Sequence, residues 1–420
     1  MIAGLRGFSS STFASLSQRN FRLFFVGQGI SQVGNWMTLV TQTLLVLELT
    51  SSGVALGLLA AAQFLPVLLV GPFAGLVADR SDKRRLLMLV QSASMLQSLG
   101  LAVLAFSGSP PVWGIYALAT VGGLTMAFDN PARRSLVVEM VDEPMVPNAV
   151  ALNTTMMTSS RIIGPALGGL VVATAGFGAA FLADGLSYVA VLASLAMIRS
   201  AELRPAPPAR RGRGQVREGL SYVRHEPTLF VPMVMMAVVG TFAFNHSTVL
   251  PLFAVRDLGG SDGTYTLLFS VLSVGALAGS LFAARRERVG VRSVGVSAVA
   301  FGASMALLAL TPDIPTAALA AVVMGATSVA FLTASTAVVQ LRARPEMRGR
   351  VLALQAMLFL GSTPIGGPLI GWVSETLGAR AGLLVGAVAA LAIGTWGVLR
   401  AREITRSAEP AGGTPLPATG

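Results

Sequence analysis

The chain has 420 residues, 53% of them hydrophobic and 12% charged, with a mean hydropathy of +0.71. A soluble domain averages about 25% charged residues, so a chain this long cannot cover a water-facing surface with so few. Cysteine is absent, which excludes disulfides and thiolate chemistry, and histidine occurs only at His225 and His246, which rules out most multi-histidine metal centres.

A hydrocarbon core about 30 Å thick requires about 20 apolar residues per helix. Twelve such spans are predicted at 22–49, 53–78, 86–107, 112–129, 148–173, 178–198, 228–254, 264–284, 293–310, 316–340, 351–373 and 381–399. Short polar or Pro/Gly breaks separate them, such as Ser107-Gly108-Ser109-Pro110-Pro111. Lipid offers the backbone no hydrogen-bond partners, and continuous apolar runs argue for helices over a barrel. The first 20 residues hold no apolar core with a cleavage site, so no secretory leader is expected. The end of the chain, 403–420, rich in Pro, Gly and Thr, is expected to be a disordered tail.

The net charge of +11 would suggest nucleic acid on a soluble protein. Its placement points elsewhere. With the N-terminus inside, 27 of the 30 basic residues fall in cytoplasmic segments, Arg256 and Arg380 fall outside, and Arg161 lies within a span. The positive-inside bias therefore predicts a multi-pass cell-membrane protein with both termini cytoplasmic. The basic loops are expected to face anionic lipid, not nucleic acid.

The stretch 199–226 carries seven arginines and the run Arg204-Pro205-Ala206-Pro207-Pro208. It reads as a cytoplasmic linker between a bundle at 1–198 and a second at 227–402, and its later part suits an interfacial amphipathic helix. A shift of 202 residues lays 151–182 on 353–384 with 12 identities in 32 positions, among them Ser160/Ser362, Gly164/Gly366, Gly169/Gly371 and Gly176/Gly378. Span five thus maps onto span eleven, as duplication of a six-helix unit requires. The expected fold is all-α: twelve transmembrane helices in two pseudo-symmetric six-helix bundles around a central site.

The loop after span two reads Gly75-Leu76-Val77-Ala78-Asp79-Arg80-Ser81-Asp82-Lys83-Arg84-Arg85. A carboxylate at the end of an apolar helix needs a cationic partner or a helix N-terminus. Asp79 is accordingly a candidate conformational latch with Gly75, Arg80 and Arg84, although an ordinary topogenic loop would also carry such arginines. These residues resemble the loop signature of the major facilitator superfamily, Gly-x-x-x-Asp-Arg-x-Gly-Arg-Lys, with Asp82 where that family has glycine. The corresponding loop of the second half, Gly279 to Arg292, keeps Arg285, Arg286 and Arg288 but has Ala283 in place of the acid.

In span five, Ser160, Gly164 and Gly168 recur at four-residue spacing, beside Pro165 and Gly169. Such a face permits close helix contact, and the proline permits a bend. GPxxGG here resembles the antiporter signature of drug:proton exporters in the same superfamily, with Ser160 at the position of its earlier glycine. Arg161 lies mid-span, where a guanidinium costs at least about 2.5–3.5 kcal/mol to insert. It is expected to face the interior and meet a carboxylate (Asp129, Asp184 or Glu48), backbone carbonyls or an anionic substrate; a purely structural ion pair is the plain alternative.

Asp184, Asp129, His246 and Glu48 are the proton-coupling candidates. Gln28, Gln32, Asn35 and Trp36 in span one, with Gln63, Asn245 and Gln355, are the substrate-cavity candidates. Asp129 is expected to cap a short helix starting at Pro131. The segment 128–135, with Arg161-Ile162-Ile163-Gly164-Pro165 and the opening Arg19-Asn20-Phe21-Arg22-Leu23-Phe24, is similar to the enterobactin-exporter-like and macrolide-efflux-like permeases of the superfamily. That resemblance, over 18–402, implies efflux of a small amphipathic organic molecule, with proton antiport as the expected energy source. Many superfamily antiporters carry an arginine in mid-span four, and 120–128 has none.

The motifs GxxxxGK[ST], HExxH and GxSxG are absent, and Lys83 is the sole lysine. A nucleotide-driven pump and an enzyme are therefore not expected, nor is a cofactor or metal, and the chain is expected to act as a monomer. An importer or lipid flippase on the same fold, or a non-transporting membrane scaffold, are the alternatives.

Overall fold

The structure is a computed structural model that describes residues 12–204, 215–284 and 289–408. No strand occurs among them. We number the helices α1 (Arg19–Thr50), α2 (Gly53–Arg80), α3 (Lys83–Phe106), α4 (Val112–Glu139), α5 (Val146–Met197), α6 (Gln215–His225), α7 (Pro227–Phe242), α8 (His246–Leu252), α9 (Asp262–Ala284), α10 (Val291–Ala309), α11 (Ile314–Arg342), α12 (Pro345–Leu377) and α13 (Ala379–Ala408). A π-helical turn, Phe253–Asp257, follows α8.

Ten helical segments among the described residues are long and apolar enough to cross a bilayer. One of these, Glu143–Met197, holds two crossings, because Gly176 breaks it at φ +83° and ψ 175°. The 32-residue α1, whose polar residues turn inward, is long enough for another. The expected twelve crossings are thus accommodated, though spans five and six join at a glycine corner instead of a loop. Gly378, between α12 and α13, turns the matching corner at φ +91°. Side chains rarely adopt this left-handed conformation, so glycine is required at both corners.

The internal repeat is legible in the packing. Gly164 and Gly366 each face the first helix of their own half: a Cβ at Gly164 would stand 2.5 Å from Trp36 Cβ, and one at Gly366 would strike the Thr241 carbonyl. Gly169 and Gly371 each face the second helix of the opposite half. A Cβ at Gly169 would stand 2.5 Å from Thr266 Oγ1, and one at Gly371 would strike the Gly53 carbonyl. The two halves therefore meet along two related seams, α5 on α9 and α2 on α12.

Three features differ from the sequence expectation. Helix α4 runs unbroken through Pro131 to Glu139, so Asp129 is an interior residue and caps nothing. Asp82 occupies the N-cap of α3 and accepts the Arg85 backbone N–H at 3.0 Å, which explains an acid where the family has glycine. Helix α13 continues to Ala408, so 403–408 is helical; 409–420 lies outside the described residues. Residues 205–214 of the linker, 1–11, and Arg285, Arg286 and Arg288 also lie outside them. The expected interfacial helix is α6, whose Val223 is buried in a cluster with Leu229, Met233, Val339 and Val351.

The face bearing the helix ends nearest the termini is tied by side chains. Asn20 and Arg199 exchange hydrogen bonds, Nδ2 to carbonyl at 3.2 Å and N–H to Oδ1 at 3.1 Å. Arg84 donates to the carbonyls of Leu195 and Ala196 at 2.6 and 2.8 Å, closing the exposed end of α5. Lys83 and Glu139 form a pair at 3.1 Å with side chains 12% and 5% exposed. At the far face, Ser52 and the Val54 N–H donate to Glu375 at 2.6 and 3.0 Å, and Arg256 donates to the Ser51 carbonyl. Both contacts cross between the halves.

Candidate functional site

A cavity of about 350 Å³ lies between the halves. Residues 40–47 of α1 are all buried and, with Leu252, Phe253, Tyr265 and Leu268, close it on the far side. The cavity therefore opens toward the termini face, and Asn35 at its wall is exposed although it sits mid-helix.

Of the candidates from sequence, Gln28, Gln32, Asn35, Trp36, Gln63, Asp129, Arg161, Asp184 and His246 all line this cavity. Others do not. Glu48 is exposed at the far end of α1. Asn245, in the break between α7 and α8, donates Nδ2 to the Thr241 carbonyl at 2.7 Å, and Gln355 donates to Ser335 at 2.9 Å; both are buried away from the lining. Gly164, Pro165, Gly168 and Gly169 shape the cavity indirectly, by drawing α5 against α1 and α9. Pro165 has no N–H to offer the carbonyl four residues earlier, that of Arg161, which loosens the helix at that residue.

The pairing expected for Arg161 is not found. Asp129 is held by Arg133 at 2.9 Å and by Gln91 at 2.8 Å. Asp184 accepts Thr38 at 2.7 Å and Ser98 at 2.8 Å on Oδ2, with Ser187 at 3.4 Å from Oδ1. Among the described residues no carboxylate lies within 4.0 Å of the Arg161 guanidinium, and its Nε is buried without an acceptor. Its guanidinium carbon lies 5.3 Å from the centroid of the Trp36 ring. Gly164, one turn on, brings that ring close.

Asp184 occupies a pocket made by Gly34, where any Cβ would collide with its Oδ1. Three hydroxyls surround it, and among the described residues no cation pairs with it. Hydroxyls can donate or accept, so this site is chemically suited to a carboxylate in either protonation state. His246 is buried with Nε2 unpartnered, its ring 5.6 Å from Phe244 and 6.1 Å from Phe301.

Several lining residues were not singled out from sequence. Gln42 accepts Gln63 at 2.8 Å, and Gln91 and Gln97 also reach the cavity. Isolated glutamines in an apolar run were the available signal. Phe244, Phe269 and Phe359 form the wall contributed by the second half. Phenylalanine is as common on lipid-facing surfaces, so nothing marked these three.

The comparisons agree with this geometry. The model of the family described as "Transmembrane secretion effector" matches residues 10–411. The chain belongs to this family of the major facilitator superfamily. The chain is 27% identical to the staphyloferrin A transporter of Staphylococcus aureus over 62% of its own length and 64% of that protein's. It is 25% identical to the multidrug efflux pump Tap of Mycolicibacterium fortuitum, over 90% and 95% of the two chains. Against macrolide efflux protein A of Streptococcus pyogenes the identity is 22%, over 85% and 90%. The match spans less than two thirds of the staphyloferrin transporter's length. Among solved structures, an inward-facing, unoccupied bacterial homologue of the human lysosomal transporter Spinster superposes with a TM-score of 0.75 at 14% identity, covering 92% and 97%. A POT family transporter superposes at 0.76 and 10%, covering 94% and 100%. The chain is therefore a multi-span membrane protein of the major facilitator fold.

Proposed function

We propose that this chain exports a small amphipathic organic molecule across the cell membrane by alternating access, with protons moving inward in exchange. The observation that carries this reading is the cavity between the halves, closed at one face, with Asp184 held among hydroxyls at its edge. Relatives named as a multidrug efflux pump and a macrolide efflux protein support the direction. With both termini cytoplasmic, the side to which the basic loops assign them, the cavity faces the cytoplasm, where an exporter collects its cargo.

Inverted membrane vesicles provide the test. Acidifying the lumen should drive uptake of a fluorescent amphipathic dye, and an uncoupler should stop it. Uptake that is indifferent to the proton gradient would refute antiport, and gradient-driven loss of dye from the lumen would refute export.

Asp79, half-buried at the end of α2, carries the latch role in this reading, with Gly75 and Arg80 on the same helix and Arg84 at the start of α3, where it holds the Leu195 and Ala196 carbonyls. Breaking a carboxylate contact that forms in one state alters the balance between states. Asp79→Asn should lower the initial rate of dye uptake about tenfold while membrane insertion is retained, since hydrogen bonds to charged groups carry about 1.5–3 kcal/mol. A parental rate in this variant would remove the latch.

A further inference from the structure

Beyond proton coupling, the cavity has a polarity of its own. Its acids are already engaged: Asp129 by Arg133 and Gln91, Asp184 by Thr38, Ser98 and Ser187. Arg133 is neutralised by the same pair, at 2.9 Å. Arg161 alone among the described lining cations has no carboxylate and no hydrogen bond, and the buried Nε lacks an acceptor. A guanidinium carries five donors and does not lose its proton at any ordinary pH. A cation left in that condition inside a membrane is expensive, and an anion from the cavity relieves it.

The opposite wall is aromatic. Phe244 and Phe359 meet edge to face at 5.0 Å, and Phe269 lies 6.4 Å from the Trp36 ring, tilted by 42°. Trp36 thus joins the two regions, with Arg161 over one part and Phe269 near another. A molecule spanning them presents an acid group at one end and a flat apolar body at the other.

We infer that the cargo is an organic anion, whose carboxylate or other acid group is bound by Arg161 beside Trp36 while its apolar body lies against the phenylalanines of the second half. This rests on the reading that the cavity holds the transported molecule, and it narrows the class from amphipathic compounds in general to acidic ones. A cation of the same shape would meet Arg161 as a like charge and find both carboxylates occupied.

Two xanthene dyes of similar size test the charge preference: fluorescein, an anion, and tetramethylrhodamine methyl ester, a cation. Binding is measured by fluorescence anisotropy on the full chain in nanodiscs, with empty nanodiscs as background. Fluorescein should bind more tightly. Arg161→Gln should weaken fluorescein roughly tenfold to a hundredfold and leave the rhodamine ester unchanged or tighter, which also reports an intact cavity. Arg161→Lys keeps the charge and should retain most of the fluorescein affinity. The inference is overturned if fluorescein does not bind, if the rhodamine ester binds as well or better, or if both arginine variants weaken the two dyes alike. Flux is a separate arm. Fluorescein that binds through Arg161 yet is carried in neither direction would leave the anion site standing and end the transport reading.

Discussion

Replacing Gly57 by leucine should abolish transport and leave the cavity open to the far face. Gly57 is buried where α2 crosses α12, and a Cβ there would stand 2.6 Å from both Gly367 C and Pro368 Cα, backbone atoms with nowhere to go. Leucine adds four carbons at that point. Overpacking a well-filled site costs about 1–3 kcal/mol, and here the cost falls only on the state in which the seam is shut. When the seam parts, the new side chain is accommodated, so the variant penalises one conformation and not the fold. Asn35→Cys reports the outcome. The chain has no cysteine of its own, so an impermeant maleimide reads a single site. In the Gly57→Leu background that site should react from the far face and dye flux should be lost. Parental flux with labelling from the termini face would show that the seam tolerates bulk.

The second large effect is expected at Asp184. Asparagine preserves the size of the side chain and can still accept from Thr38 and Ser98, the groups at 2.7 and 2.8 Å. It cannot take up or release a proton. Asp184→Asn should therefore keep dye binding near the parental affinity while uptake into inverted vesicles no longer responds to a pH gradient. The ionisable neighbours that could substitute are known: Asp129 tied to Arg133, His246 among phenylalanines, Arg161 over Trp36, and Tyr188 on the same helix. A gradient response that survives in Asp184→Asn but disappears in Asp129→Asn or His246→Gln would move the coupling role to that residue.

The features legible in the sequence were those that violate the solvent. Arg161, Asp184 and the glutamines of α1 stand out because lipid penalises them, and all reach the cavity. The repeat was legible too, and each of its glycine pairs occupies an equivalent place in the packing. What stayed hidden depended on contacts between distant segments. Arg133 follows Pro131, which reads as a helix start beyond span four; in the fold α4 continues and Arg133 claims Asp129. The aromatic wall of the second half was invisible because apolar residues look the same whether they face lipid or cargo. Gln355 and Asn245 lie off the lining for a related reason: a buried polar side chain can bond a neighbouring side chain or nearby backbone as readily as a ligand.

The seams between the halves also say something about the energy of opening. Where Gly53 and Gly57 meet Gly371 and Gly367, main chain slides on main chain, with no knob withdrawn from a socket and no rotamer to change. Contact of this kind gains dispersion without interlocking side chains, so parting it gives up few specific contacts. Reversing a population from one part in a hundred to ninety-nine takes about 5.5 kcal/mol of differential binding. A surface built as a plain bearing keeps that work small, on the scale of the differential binding of one small molecule.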